Sequence, residues 1–166
     1  MTNNFISSIW EFDNSDEQFL IHKTFRWYGK LPQFLVRRLI NMYSKEEDTI
    51  LANFAGSGTV LIESNILNRN TIVSDMHPIA ILLNNVKGRA YSPNPQKFLD
   101  KINAKTFPKK PYFVFKDSTK WFYDESLIEI QGILEEIKKI KNLPEREFYL
   151  LCLSRIIRNG SKIDSR

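Results

Sequence analysis

The sequence predicts an α/β fold, and three observations predict it. Two short apolar runs, residues 49–54 and 71–75, have strand length and are bounded by turn residues. A turn containing Gly56-Ser57-Gly58 separates the first run from a helical stretch, residues 60–68. Helical spacing also precedes the first run and follows the second. The order is helix, strand, glycine turn, helix, strand, helix. Two parallel strands with a right-handed crossover helix between them is the packing this order favours.

The first helix is expected over residues 33–43, after the turn Gly29-Lys30-Leu31-Pro32. Phe34, Leu35, Leu39, Ile40 and Tyr43 recur there at helical spacing, with Arg37-Arg38 on the other face. Ser44-x-x-Glu47 has the form of a capping box, but a strand follows it, so a polar connection is the simpler reading. Thr49-Ile50-Leu51-Ala52-Asn53-Phe54 reads as a buried strand and Thr71-Ile72-Val73-Ser74-Asp75 as a second one. Pro78 suits the first turn of a helix running to Lys87.

Beyond the break at Ser92-Pro93-Asn94-Pro95 the pattern changes. A short helix is expected over residues 96–104, a basic loop over 107–111, and a third strand at Tyr112-Phe113-Val114-Phe115 leading to Asp117. Leu127, Ile130, Leu134 and Ile137 mark an amphipathic helix over residues 125–140. A last helix starts near Pro144 and ends near Asn159-Gly160, where glycine suits a left-handed cap. The expected organisation is an N-terminal arm and α/β core over residues 1–90, the arm reaching about Lys23, and a mainly helical extension over 91–166.

Composition bounds the function. A chain of 166 residues with 42% hydrophobic and 26% charged residues can bury a core and is not intrinsically disordered. No apolar run approaches the ~18 residues of a membrane span. The start, Met1-Thr2-Asn3-Asn4-Phe5, has neither the basic nor the apolar region of a secretory signal, so a cytoplasmic protein is expected. One cysteine, Cys152, excludes an internal disulfide, and two histidines, His22 and His77, are too few for a metal site on their own. A net charge of +5 favours a polyanionic partner.

The glycine turn carries the chemistry. Glycines between a strand and a helix permit a tight turn and a close approach of ligand to backbone. The helix beyond supplies unpaired N–H groups. Asp75 ends the next strand, where an acid can accept from both hydroxyls of a ribose. No lysine precedes Thr59, so this is not a phosphate-binding loop of the NTPase type. A dinucleotide fingerprint needs a third glycine where this chain has Leu61. A ligand with ribose and adenine but no pyrophosphate remains, and S-adenosylmethionine fits that description.

Phe54-Ala55-Gly56-Ser57-Gly58-Thr59 resembles the cofactor motif of the DNA methyltransferases that modify adenine N6 or cytosine N4. The segment from His22 to Pro32 is similar to the one that precedes that motif in many such enzymes. Asn68-Arg69-Asn70-Thr71-Ile72-Val73-Ser74-Asp75-Met76-His77-Pro78-Ile79-Ala80 is similar to their second strand and its acid-x-Asn-Pro continuation. The resemblance covers residues 21–87, and Trp121-Phe122 with Ser154-Arg155-Ile156-Ile157-Arg158 is similar to a helical insertion in some restriction-modification methylases. It implies a partial Rossmann-like, S-adenosylmethionine-dependent methyltransferase fold with DNA as partner. Gly56 and Gly58 would line the methionine side, Phe54 the adenosine, and Asp75 the ribose. His77 or Ile79 would border the adenine, and Lys30 would approach the amino-acid end. Ala55, Ser57, Thr59 and Met76 complete the implied set. The family carries Asp-Pro where this chain has Ala52-Asn53, and His77 stands for its asparagine. The absent aspartate normally helps hold the methionine ammonium.

The family's catalytic loop, an Asp, Asn or Ser followed by Pro-Pro and an aromatic, has no counterpart here, because no Pro-Pro occurs in the sequence. Two or three strands also leave sheet edges open. The expectation is therefore the cofactor-binding half of a split methyltransferase. A second polypeptide would carry the catalytic loop and target recognition, or the chain would pair with itself. No catalytic residue is assigned to this chain. Two alternatives stand beside this: a non-catalytic methylase remnant that binds DNA or regulates, and RNA as the substrate.

Other residues have plainer readings. Arg155, Arg158, Lys162 and Arg166, with Arg37-Arg38 and Lys109-Lys110, can touch phosphates or form solvated faces. Trp27 and Tyr28 can stack on a base, but packing in a core or a partner interface is the simpler role, and Trp121 and Phe122 read most simply as packing residues. Asp117 suits a turn or cap better than an adenine contact. Cys152 is expected to be buried and inert.

Overall fold

The computed structural model describes residues 20–89, 91 and 93–162. Most of the expected N-terminal arm, Ser92 of the break and Arg166 of the basic stretch lie outside the described residues. The chain forms two compact units, residues 1–76 and 77–166. Among the described residues no helix is long and apolar enough to cross a membrane.

In the first unit, α1 (Leu20–Lys23) is the helical end of the arm and α2 (Gln33–Tyr43) follows Pro32. Then come β1 (Thr49–Ala52), α3 (Thr59–Ile66) and β2 (Asn70–Val73). The strands are parallel, with Thr49 opposite Asn70 and Ala52 opposite Val73, as the crossover order requires. Ser44 does not cap a new helix. Its Oγ donates to the Ile40 carbonyl at 2.6 Å and closes α2 instead.

Neither strand is buried on both faces. α3 packs along both strands, and the Ile50–Ala52 and Thr71–Val73 face is the more covered one. On the opposite face Leu51 is 65% and Ile72 58% exposed, side by side in the register. A continuous apolar run predicts two covered faces, as in most parallel sheets. Here only one is covered among the described residues. The stripe of α2 is shifted for a similar reason. Gln33, Val36 and Ile40 are buried, whereas Leu39 and Tyr43 stay exposed beside an apolar hollow.

The second unit begins with α4 (Pro78–Lys87) and α5 (Pro95–Asn103), each with proline in its first turn. A single turn, α6 (Ser118–Trp121), precedes α7 (Asp124–Lys138) and α8 (Leu143–Ile156). α8 packs against both α4 and α7. Its core is Ile137, Tyr149 and Leu153, and Tyr149 stacks on Phe98 with ring centroids 4.0 Å apart. Gly132 sits inside α7 because Phe107 lies against it. A Cβ there would fall 2.4 Å from the Phe107 ring.

Three expectations fail in this unit. Residues 112–115 are not a strand. The side chain of Gln131 takes the place of a partner strand: its Oε1 accepts from the Tyr112 and Phe113 amides at 3.0 and 3.3 Å, and its Nε2 donates to the Phe113 carbonyl. One buried amide satisfies the segment, so no ladder is needed. Gly160 has no left-handed conformation, because α8 runs into a tight turn in which its N–H donates to the Ile156 carbonyl at 3.3 Å. Cys152 is exposed rather than buried, although the packing around its sulfur pushes the thiol above its ordinary range.

Gln131→Leu is expected to lower stability by about 1–3 kcal/mol, since it strands two amides and a carbonyl. Hydrogen exchange should show the Tyr112 and Phe113 amides losing protection more than those of α8. Equal loss at both places would mean that Gln131 supports only the general fold.

Candidate functional site

The site is built where β1 turns into α3. Gly56 and Gly58 both adopt left-handed backbone, with φ of 49° and 79°. Gly58 is the N-cap of α3 and accepts the Ile62 amide at 3.1 Å, so the helix starts directly from the glycine turn. The turn is stitched to the end of β2. The Ala55 amide donates to the Ser74 carbonyl at 3.0 Å, and the Gly56 amide donates to Asp75 Oδ2 at 2.8 Å. Ser57 and Thr59 are buried in the turn with their hydroxyls 3.0 Å apart.

A cavity of about 210 Å³ opens over this turn. Of the ten residues expected in a cofactor site, seven line it: Lys30, Phe54, Ala55, Gly56, Ser57, Thr59 and Asp75. Gly58 instead sets the start of the helix. Met76 is 96% exposed and does not line the cavity. His77 opens the second unit, where its Nδ1 accepts the Ile79 amide at 3.2 Å and caps α4. Phe54 is 86% exposed and lies at the rim.

Sequence reasoning missed Trp27. Assigned to packing, it lines the cavity, and a Cβ at Gly56 would meet its Nε1 at 3.1 Å. Glycine at position 56 therefore serves two needs: left-handed backbone and room for the indole. Its signal was proximity in sequence to Lys30. Tyr28 is exposed with Arg26 over its ring at 5.2 Å, so it does not pack in a core.

The wall carrying Trp27 and Lys30 is anchored from beneath. Glu63 of α3 is fully buried. It accepts from His22 Nε2 at 2.8 Å and from Arg37 Nε at 2.7 Å. His22, itself buried, also accepts Lys30 Nζ on its carbonyl. Burial, then the charge of Lys23, holds the Lys30 ammonium below its usual range. Sequence reasoning had no role for Glu63; an acid amid Val60, Leu61 and Ile62 was the available signal.

The cavity offers the Asp75 carboxylate, the Lys30 ammonium, the glycine-turn backbone and the rings of Trp27 and Phe54. That set can hold a polar ligand with hydroxyl groups and a flat, apolar part. Whole-ligand pockets run to ~300–1,000 Å³, so a larger ligand would extend past the Phe54 rim. A roomier hollow of about 590 Å³ lies between α2 and β1. Leu31, Val36, Leu39, Ile40 and Leu51 line it, with Asp48 its one charged residue. It is a gap beside β1, which pairs only with β2 among the described residues, and it has too few polar groups for chemistry.

The model of the DNA methylase family, the N6/N4 methyltransferases, matches residues 2–85, half of the chain and all ten expected site residues. No curated protein and no solved structure matches the chain.

Proposed function

The chain belongs to the DNA methylase family, and from that premise we propose that it is the cofactor-binding part of a DNA methyltransferase acting on an exocyclic base amine. The reading takes S-adenosylmethionine as cofactor and places the base-gripping loop on polypeptide other than these 166 residues. One observation carries it: the Asp75 carboxylate at the end of β2 is tied to the Gly56 amide, in a cavity also lined by Trp27 and Phe54. On this reading Asp75 accepts from the ribose hydroxyls. On the same reading the methionine part lies along the glycine turn and Lys30 approaches its carboxylate.

When bound, S-adenosylmethionine supplies an electrophilic methyl group on a sulfonium. The residues lining this cavity would hold and orient it; none of them presents the target amine to the methyl group. The base must be taken out of the duplex and its amine presented in line. That task needs the Pro-Pro-aromatic loop, and no Pro-Pro occurs here. The bare Leu51–Ile72 face, the hollow beside β1 and a two-stranded sheet support a Rossmann-like core completed by further strands and helices.

Ala52 favours a second reading. It is buried at the end of β1, where the family's aspartate would hold the methionine ammonium. A remnant that no longer binds cofactor but still serves as a subunit follows from that change. Calorimetric titration with S-adenosylmethionine separates the two: saturable one-to-one binding supports the cofactor reading, and no heat with or without a completing partner leaves the remnant. The single chain is expected to transfer no methyl to DNA. Radiolabel incorporation by the purified chain alone would refute the split.

A further inference from the structure

The second unit carries a surface that the cofactor reading does not use. Between Lys109 and Tyr123, the side chains of Tyr112, Phe113, Phe115, Trp121 and Tyr123 are all exposed. An isolated exposed apolar residue needs no explanation, but a contiguous set of rings does. Part of the set is joined ring to ring. Phe113 and Phe115 have centroids 6.5 Å apart, and Phe115 meets Phe122 edge-on at 6.3 Å. The C-terminal end closes the group: Phe122 bridges to Ser161, and Lys162 Nζ lies 4.5 Å from the centre of the Tyr123 ring. Gln131 holds the backbone of Tyr112 and Phe113, so the rings stand on a built segment.

The charge decides what fits there. From Lys109 to Trp121 the chain has four lysines, Lys109, Lys110, Lys116 and Lys120, against one acid, Asp117. All four are exposed, and none has an ion-pair partner among the described residues. Acids return only at Asp124 and Glu125 in the first turn of α7. Protein–protein interfaces are enriched in aromatic rings but depleted in lysine. Rings interleaved with unpaired lysines are instead the composition of surfaces that track a phosphate backbone and stack its bases. Bases inside a duplex have no free face to offer, so the rings select unpaired nucleotides.

We infer that the aromatic and lysine surface over residues 109–123, closed by Lys162, binds single-stranded or locally unpaired DNA. The inference rests on the methyltransferase reading for the class of partner, and it gives the chain a part in holding opened DNA. Its residues all belong to the second unit, whereas the cofactor cavity is lined by the first.

The test is fluorescence anisotropy of the full chain with labelled oligo-dT and with a mixed-sequence duplex of equal length, over a range of salt. The chain should prefer the single strand. Phe113→Ala with Trp121→Ala should weaken that binding about tenfold or more, leaving the salt slope unchanged. Phe113→Tyr with Trp121→Phe should restore it. Changing the four lysines to glutamine should lower the salt slope by up to about 3. Cofactor binding, read by calorimetry on the same variants, should not change, so a failed cofactor site and a failed DNA surface remain distinguishable. Single-strand affinity untouched by either set of substitutions overturns the inference. So does a ring variant whose effect is loss of self-association in sedimentation, which would make the surface a protein interface.

Discussion

Glu63→Ala should destabilise the first unit by about 2–4 kcal/mol, a large share of the ~5–15 kcal/mol typical of a domain. Glu63 is fully buried and holds His22 and Arg37 at 2.8 and 2.7 Å. Removing the carboxylate leaves a guanidinium nitrogen and an imidazole inside the protein without their acceptor. Glu63→Gln keeps one acceptor and the volume, and should be milder. Acid gives an independent readout. Burial pushes the Glu63 carboxyl up, but hydrogen bonds from His22 and Arg37, and their charge, override it and hold the group below its ordinary value near 4.5. A carboxyl depressed in the folded state contributes fully above the unfolded value and is lost as pH falls through the folded one. The chain should therefore weaken as pH drops below about 4.5, and Glu63→Gln should weaken less over that window. Urea midpoints at neutral and acidic pH measure both effects. Parallel acid losses in the two proteins would remove Glu63 from the explanation. The same anchor holds His22, whose carbonyl accepts Lys30, so the variant should also loosen the Trp27–Lys30 wall.

What the sequence disclosed follows from the range over which each signal acts. α2 and α4 match their expected limits because periodicity, Pro32, Pro78 and Ser44 mark them locally. The glycine turn was legible because left-handed backbone leaves few choices besides glycine. Burial was not local information. The run around Leu51 is equally apolar whether one face or two is covered, and only the tertiary structure shows Leu51 and Ile72 bare. The false strand at Tyr112-Phe113-Val114-Phe115 has strand composition, and what replaced its ladder was a glutamine 18 residues away from Phe113. Trp27 and Glu63 were opaque for the same reason. Trp27 meets Gly56 across the turn, and Glu63 meets His22 across 41 residues, so neither role has a sequence-local signature.

Asp75→Ala should reduce affinity for S-adenosylmethionine by about a hundredfold, the effect of losing two charge-assisted hydrogen bonds at ~1.5 kcal/mol each. The carboxylate has a second duty, since its Oδ2 accepts the Gly56 amide at 2.8 Å. A loss of binding in the variant could thus report a relaxed glycine turn rather than a missing ribose partner. The two causes separate by a cycle that varies ligand and residue together. If Asp75 grips the ribose, the parent chain should prefer adenosine over 2′-deoxyadenosine, and Asp75→Ala should bind both equally weakly. If Asp75 only braces the turn, the variant should weaken both nucleosides by one factor and keep the parent's preference between them. Asp75→Asn sharpens the contrast, because its amide oxygen can still accept from Gly56 while the charge and one acceptor are gone. It should retain most of the stability and lose most of the ribose preference. A variant still discriminating the two nucleosides as the parent does would take the ribose away from Asp75. The cofactor reading of the cavity would then lose its chief support.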